Sequence, residues 1–326
     1  MMIITVLLAS NDGVVWLPEQ VESILAQQGV HVRLVISDDC SSDGTLFWLQ
    51  QLAARDDRVT LLPDAGPFGS AALNFYRLLR EADFMDTDYI AFADQDDVWY
   101  PDKLIRAVEL MRQCGAAAAS SNVNAFWPDG RHELVDKAQP QKLYDYLFEA
   151  AGPGCTYVLT SAFAQTVRET VAQFALGDAT SLPGHHDWLC YVLCRARGHK
   201  WVIDPKPSMN YRQHQRNEVG VNRGVRAARG RHAKIVSGWY RQQVLGMVAL
   251  ARSQSLSSRA LAALALRLTR GQCVDRLILA TQVLKFRRRW RDGLILAAYF
   301  ISGLFWKGAE HHESARAATL RHNRRP

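Results

Sequence analysis

Through its first 114 residues the chain alternates short β-branched runs with longer amphipathic stretches, and few folds satisfy that alternation. Residues 2–8 (MIITVLL), 32–37 (VRLVIS), 59–62 and 89–93 (YIAFA) have the length and apolar continuity of buried strands. Residues 17–28, 45–54, 71–80 and 101–114 read as helices, with Pro18 near the start of the first and Gly29 just past its end. Strands joined by helices at this spacing predict a parallel sheet covered on both faces. Such sheets bind ligands in a crevice beyond the carboxyl ends of their strands. Polar clusters follow the first, second and fourth runs at that edge: Ser10-Asn11, Asp38-Asp39 and Asp94-Gln95-Asp96-Asp97. Three clusters meeting at one rim point to one crevice.

The third cluster asks for a partner. Asp94, Asp96, Asp97 and Asp102 fall within nine positions of "FADQDDVWYPDKL", and like charges this close repel unless a cation or a hydrogen-bonding ligand offsets them. A solvated turn with a helix cap is one reading; a divalent-metal site at the end of a buried strand is the other. The chain has no Gly-x-Gly-x-x-Gly after the first strand and no Gly-x-x-x-x-Gly-Lys-Ser/Thr, so it lacks the backbone cradle that binds phosphates in dinucleotide and P-loop proteins. A cation held by Asp96, helped by Asp94 or Asp97, would neutralise a diphosphate instead. It would act as a Lewis acid toward a departing nucleoside diphosphate. Asp39, in "SDDCSSDGT", is placed to accept hydrogen bonds from a ribose or a nucleobase imide, while Asp43-Gly44-Thr45 reads as a turn and cap.

Beyond Ser120 the pattern loosens into an insertion (SSNVNAFWPDGRHELVD). A glycine-rich turn with a strand over 152–160 (GPGCTYVLT), helices over 161–174 and 187–198, a strand at 200–204 (KWVID) and an irregular polar stretch over 207–220 follow. Asp187 stands at a loop–helix junction after Pro183-Gly184, where it can cap the helix, serve as a general base, or do both. His214 is a candidate metal ligand or donor to a diphosphate, and Arg212 or Arg216 could pair with phosphate oxygens. Asn74 has two open roles, capping and donor contact; Phe75 reads as helix packing and Trp99 as packing beneath the acidic loop.

Charge divides the chain. From Arg223 onward 21 Lys and Arg face four acidic residues, whereas the preceding part is net acidic within a total of +7. The basic part reads as helical, and "VLKFRRRWRDGLILAAYFISGLFWKG" interleaves arginines with aromatics. Its longest uncharged stretch is about fourteen residues, short of the roughly twenty that span a bilayer. Two readings stand for it: a helix lying among anionic headgroups, or a helical hairpin packed on the catalytic domain. The acidic front and the lack of a recognition motif argue against nucleic acid. Six cysteines without a paired framework suit reduced thiols in a cytoplasmic protein, and no secretory leader is evident.

The stretches "TVLLASNDGVVWLPEQVESILAQ", "VRLVISDDCSSDGT", "GPFGSAALNFYRLL", "DYIAFADQDDVWYPDKL", "GPGCTYVLT", "HHDWLCYVL" and "YRQHQRN" occur in an order that resembles the family 2 inverting glycosyltransferases, over roughly residues 3–217. The set looks most like the bacterial rhamnosyltransferase-like members. The resemblance implies an α/β fold of GT-A type, a mostly parallel central sheet flanked by helices, over residues 1–222, with a helical C-terminal extension over 223–326. It implies that Ser10 and Asn11 line the nucleotide site, that Asp39 meets the nucleobase, and that Asp94 lies by the ribose, with Gln95 beside it. Asp96, with Asp97 and His214, would bind Mg2+ or Mn2+, and Asp187 would be the base. The expected reaction moves a sugar, first L-rhamnose from dTDP-rhamnose and second a hexose from a UDP-sugar, to a hydroxyl of a growing glycan. A polyprenyl-diphosphate-linked acceptor at the inner face of a bacterial membrane would give the basic helices a purpose. The rival readings are a nucleotide-binding oxidoreductase and an inactive membrane-associated scaffold.

Overall fold

A computed structural model describes residues 1–174, 185–214, 224–254 and 259–308. The chain forms two compact units, Met1–Ala138 with Ala150–Val221, and Gln139–Glu149 with Asn222–Pro326.

The first unit is built on a seven-stranded sheet. Its strands are β1 (Ile3–Ser10), β2 (His31–Asp38), β3 (Val59–Leu61), β4 (Tyr89–Ala93), β6 (Ala118–Ser121), β9 (Val158–Thr160) and β10 (Trp201–Asp204). They lie in the order β10-β6-β9-β4-β1-β2-β3. Every pairing is parallel except those of β9, which runs antiparallel to both β4 and β6. Ile4, Val6, Leu7 and Leu8 of the central strand are all 0 % exposed, as a parallel sheet covered on both faces requires.

The covering helices are α1 (Leu17–Leu25), α2 (Thr45–Arg55), α3 (Ala71–Glu81), α4 (Lys103–Cys114), α5 (Ser161–Ala172) and α6 (His186–Ala196). Their ends follow local chemistry. Pro18 falls in the first turn of α1, where its missing N–H costs nothing. The Ser70 hydroxyl accepts from Leu73 N at the start of α3, and α4 stops at Gly115 in the left-handed region.

A second sheet stands beside this edge, in the order β5-β11-β7-β8, formed by β5 (Val98–Trp99), β7 (Val123–Phe126), β8 (His132–Val135) and β11 (Met209–Arg212). Sequence reading treats 120–136 as a loosened insertion and 207–220 as irregular. Both instead contribute strands. Each of these strands is four residues long, too short for a local period to identify; β7 and β8 pair locally, as in Phe126↔His132, whereas β11 pairs with chain far away in sequence, as in Asn210↔Asn124 and Met209↔Trp99.

The second unit is helical: α7 (Gly224–Val236), α8 (Trp239–Gln254), α9 (Arg259–Arg270), α10 (Cys273–Thr281) and α11 (Trp290–Ser302). The short segment Gln139–Glu149 belongs with them. Phe148 stacks on Phe286 at 4.5 Å, Tyr240 donates to the Phe148 carbonyl, and Asp145, fully buried, faces Arg288 at 3.5 Å. Among the described residues no helix is long and apolar enough to cross a membrane.

Candidate active site

The adjacency of β2, β1 and β4 sets three polar loops side by side at their carboxyl ends. Ser10 closes β1 and its hydroxyl donates to Asp38 Oδ1 at 2.8 Å. Asn11 then spans the rim: its side chain donates to the Asp39 carbonyl at 2.7 Å, and its backbone exchanges two hydrogen bonds of 2.8 Å with the Gln95 side chain. That exchange depends on Gly13, because a Cβ there would come 2.2 Å from Gln95 Oε1. The Asp12 carboxylate accepts from Ser42 N at 2.7 Å, which locks the first loop to the second.

Asp39 is buried, and its two carboxylate oxygens accept the backbone N–H groups of Phe68 and Gly69. It therefore holds the loop before α3 against the rim. Asn74 lies beneath; its amide donates to the carbonyls of Ser10 and Ser37 at 3.3 and 3.0 Å, so it ties the ends of β1 and β2 together. Its Oδ1 is buried without a hydrogen-bond partner among the described residues.

The acidic loop after β4 separates into two groups. Asp96 meets His214, 118 residues later, with 2.6 Å between Oδ2 and Nε2, and the His214 ring stacks on Trp16 at 4.1 Å. Asp94, Asp97 and Cys155 form the other group, their ligand atoms all within 4.8 Å of one another. Asp97 is fully buried; burial, then the charges of Asp96 and Asp94, push its carboxyl well above the usual carboxylate range. Its Oδ1 accepts from Arg212 N at 3.3 Å, and its Oδ2 has no hydrogen-bond partner among the described residues. Sequence reading draws its metal ligands, Asp96, Asp97 and His214, from both groups. Asp102 sits apart, in ion pairs with Arg106 and Lys206 at 3.0 and 3.2 Å.

A cation fits this chemistry. Carboxylate oxygens with one imidazole nitrogen suit Mn2+ or Mg2+, and a buried carboxylate oxygen lacking a donor is the kind of atom that such an ion satisfies. Cys155 is a poorer ligand for a hard ion, since burial raises its thiol far above the ordinary range and keeps it protonated.

Arg212 braces the acidic loop from β11. Its Nε donates to the Asp96 carbonyl at 2.8 Å and its guanidinium pairs with Glu19. Its expected phosphate contact would have to share these partners. Arg216 lies outside the described residues, as do Pro183 and Gly184.

Asp187 arrives from α6. Its neighbour His186 stacks on Phe75 of α3 at 3.9 Å and meets Phe92 of β4 edge-on at 5.4 Å, which pins the start of α6 to the sheet. Asp187 lies in the first turn, with Oδ1 accepting from Trp188 N at 2.7 Å; the N-cap position itself is His185. A Cβ on Gly154 would stand 3.1 Å from Asp187 Cβ, so Asp187 lies against the chain one residue before Cys155. Burial raises the Asp187 carboxyl above its ordinary value, with His185 pulling the other way.

Four residues important to this arrangement lie within the quoted stretches, yet sequence alone assigned them no role. Gln20 donates to the Asp94 carbonyl at 2.8 Å, and Glu19 and Trp16 hold Arg212 and His214. Lys103 is buried, donating to the Cys155 carbonyl at 3.0 Å with its ammonium 4.2 Å from the Trp99 ring centre; burial brings its pKa down to about 8.

Comparison with known proteins bears on the family and the fold. A family model described as glycosyl transferase family 2 matches residues 6–166. The dTDP-rhamnosyl transferase RfbG of Shigella flexneri is 38% identical over 305 residues, covering 91% of this chain and 100% of the relative. The UDP-Glc:alpha-D-GlcNAc-diphosphoundecaprenol beta-1,3-glucosyltransferase WfgD of Escherichia coli is 26% identical over 159 residues, 48% of this chain and 59% of the relative. Among solved structures, TarS of S. aureus in complex with UDP superposes with a TM-score of 0.57 at 12% identity, over 97% of this chain and 92% of that one. The architecture is of GT-A type, and with a relative aligned along nearly its whole length the chain belongs to glycosyl transferase family 2.

Proposed function

We propose that this glycosyltransferase moves L-rhamnose from dTDP-rhamnose to a hydroxyl of a growing, lipid-linked cell-surface glycan, with inversion at the anomeric carbon. The observation that carries the donor is the 38% identity to a dTDP-rhamnosyl transferase over 91% of this chain. A UDP-hexose is the second reading, favoured by the fold shared with a UDP-bound enzyme.

In this reading the loops around Ser10, Asn11, Asp39 and Gln95 receive the nucleotide. Asp39 fixes the Phe68–Gly69 backbone against them and meets the nucleobase with its remaining lone pairs. Asp94 lies by the ribose. Asp96 and His214, with Asp97 beside them, would hold Mg2+ or Mn2+, and such an ion would neutralise charge on the departing diphosphate. Arg212 keeps the Asp96 backbone in place for that purpose. Asp187 takes the proton of the acceptor hydroxyl as that oxygen bonds to the anomeric carbon and the bond to the diphosphate breaks. Its raised pKa makes it a stronger base once ionised than an ordinary surface carboxylate.

The acceptor's lipid would be met by the helical unit, seated on the inner face of the plasma membrane. There Trp290, Leu294 and Ile301 of α11 are each more than half exposed at helical spacing, with Arg289 and Arg291 beside them. A stripe of large apolar side chains flanked by arginines is suited to an anionic headgroup layer.

The donor is tested by incubating the protein with Mn2+ and a series of sugar nucleotides and measuring nucleoside diphosphate release. dTDP-rhamnose is expected to turn over fastest. Faster turnover of a UDP-hexose would replace the rhamnose assignment with the second reading.

A further inference from the structure

Apart from Arg212, the outer face of the four-stranded sheet has no role in the chemistry above, yet it begins at the acidic loop. Val123, Ala125, Met209 and Trp99 turn inward, at 0 to 3 % exposure. Alternation and register put Asn124 and Phe126 of β7, Asn210 and Arg212 of β11, and His132 and Leu134 of β8 on the opposite face. They make two rows across the strands: Asn210, Asn124 and Leu134, and beside it Arg212, Phe126 and His132.

We propose that this face is a binding platform for the pyranose rings of the acceptor glycan. The proposal rests on the glycosyltransferase reading and extends it to the acceptor. Three observations support a carbohydrate occupant. Continuity with the site is the first: the Arg212 side chain that donates to the Asp96 carbonyl also lies 4.6 Å over the Phe126 ring, so the platform starts at the acidic loop. The second is its surface. The Phe126 and His132 rings lie 6.0 Å apart and within 17° of parallel, and Leu134 beyond them is 48 % exposed. The Arg212 guanidinium lies over the Phe126 ring, so the exposed His132 ring and Leu134 side chain are the surface on which the C–H face of a pyranose packs. The third is polarity in the second row. Asn124 Nδ2 donates to the Tyr100 hydroxyl, which donates to Asn210 Oδ1, each at 2.8 Å. That arrangement fixes both amides and leaves Asn210 Nδ2 to donate to, and Asn124 Oδ1 to accept from, sugar hydroxyls. With strands about 4.8 Å apart, the face runs roughly 14 Å from β5 to β8, more than one sugar ring in length.

The test uses the full-length protein with manganese and dTDP present, on an array of di- to hexasaccharides cut from bacterial surface polysaccharides. Two variants are compared with wild type: His132→Ala combined with Leu134→Ser, and Asp96→Asn. Wild type is expected to bind a subset of the glycans. The double variant should lose about tenfold in affinity for that subset, while its melting-temperature rise with dTDP and manganese stays as in wild type. Asp96→Asn should show the reverse, keeping glycan affinity and losing the manganese-dependent rise. Unchanged glycan affinity in the double variant, or no glycan retained by wild type, would overturn the platform. Failure of the transfer reading itself shows in a separate measurement, as sugar nucleotides left intact by wild type, and so the two failures are distinguishable.

Discussion

Asp187 and His186 are neighbours in sequence, and burial disfavours the charged form of both, so their pKa values move in opposite directions. Burial raises the Asp187 carboxyl, and a base must be ionised to accept a proton, so kcat/KM should rise with pH through a limb above the ordinary carboxylate range. Asp187→Asn should keep the Trp188 hydrogen bond and the fold, lower kcat by about 10²–10⁴-fold and abolish that limb. A pH–rate profile of both proteins checks this. His186 is held neutral by burial, its pKa lowered from 6.5 to about 3. The unfolded chain therefore binds a proton that the folded chain refuses between those two values. Its contribution to stability is complete above pH 6.5 and declines by about 1.4 kcal/mol per pH unit as pH falls toward 3. His186→Phe, which retains a ring against Phe75, should flatten the fall in melting temperature between pH 7 and pH 4. At this scale the sequence shows acidic residues well, because short-range repulsion among Asp94, Asp96 and Asp97 demands a partner wherever the chain goes. It hides Lys103 and Cys155, whose significance is created by burial beside those carboxylates and by no spacing of their own.

Among elements, the loops after β1, β2 and β4 behave as one structure, joined by side chains that reach across. Gln95 is the clearest case, exchanging two hydrogen bonds with the Asn11 backbone through space that Gly13 leaves open. Gly13→Ala would push Gln95 aside and break both bonds. We expect a loss of about 1–2 kcal/mol in urea unfolding together with a raised KM for the sugar nucleotide, kcat changing less. An unaltered KM would show that the two loops act independently. The strand–helix alternation of residues 2–114 was legible because each parallel strand is a continuous apolar run and each helix has its own amphipathic period. The strands β7, β8 and β11 were not, since four residues cannot establish a period and β11 finds its partners, β5 and β7, in distant parts of the chain. Thus His214 could be named from sequence as a candidate ligand, but the strand that delivers it to Asp96 could not.

The whole molecule combines an acidic sugar-nucleotide unit with a basic helical one. Composition alone exposed that division, but not that Gln139–Glu149 joins the helical unit, a long-range contact that local composition cannot encode. If the helical unit seats on lipid, the protein should co-sediment with vesicles of phosphatidylglycerol and phosphatidylethanolamine, less with neutral vesicles, and less as salt rises. Trp290→Asp with Leu294→Asp should reduce sedimentation about tenfold while leaving nucleotide binding intact; equal sedimentation of variant and wild type would remove the membrane from the account. The claim on which the rest depends is that Asp96 and His214 hold a divalent ion for a departing nucleoside diphosphate. It is tested most directly by following dTDP release from dTDP-rhamnose in wild type and Asp96→Asn, with manganese and after chelation. Wild type is expected to release dTDP, to stop on chelation and to resume with manganese, and a folded Asp96→Asn to release it at least a hundredfold more slowly. Release at the wild-type rate by that variant, or release indifferent to chelation, would contradict it.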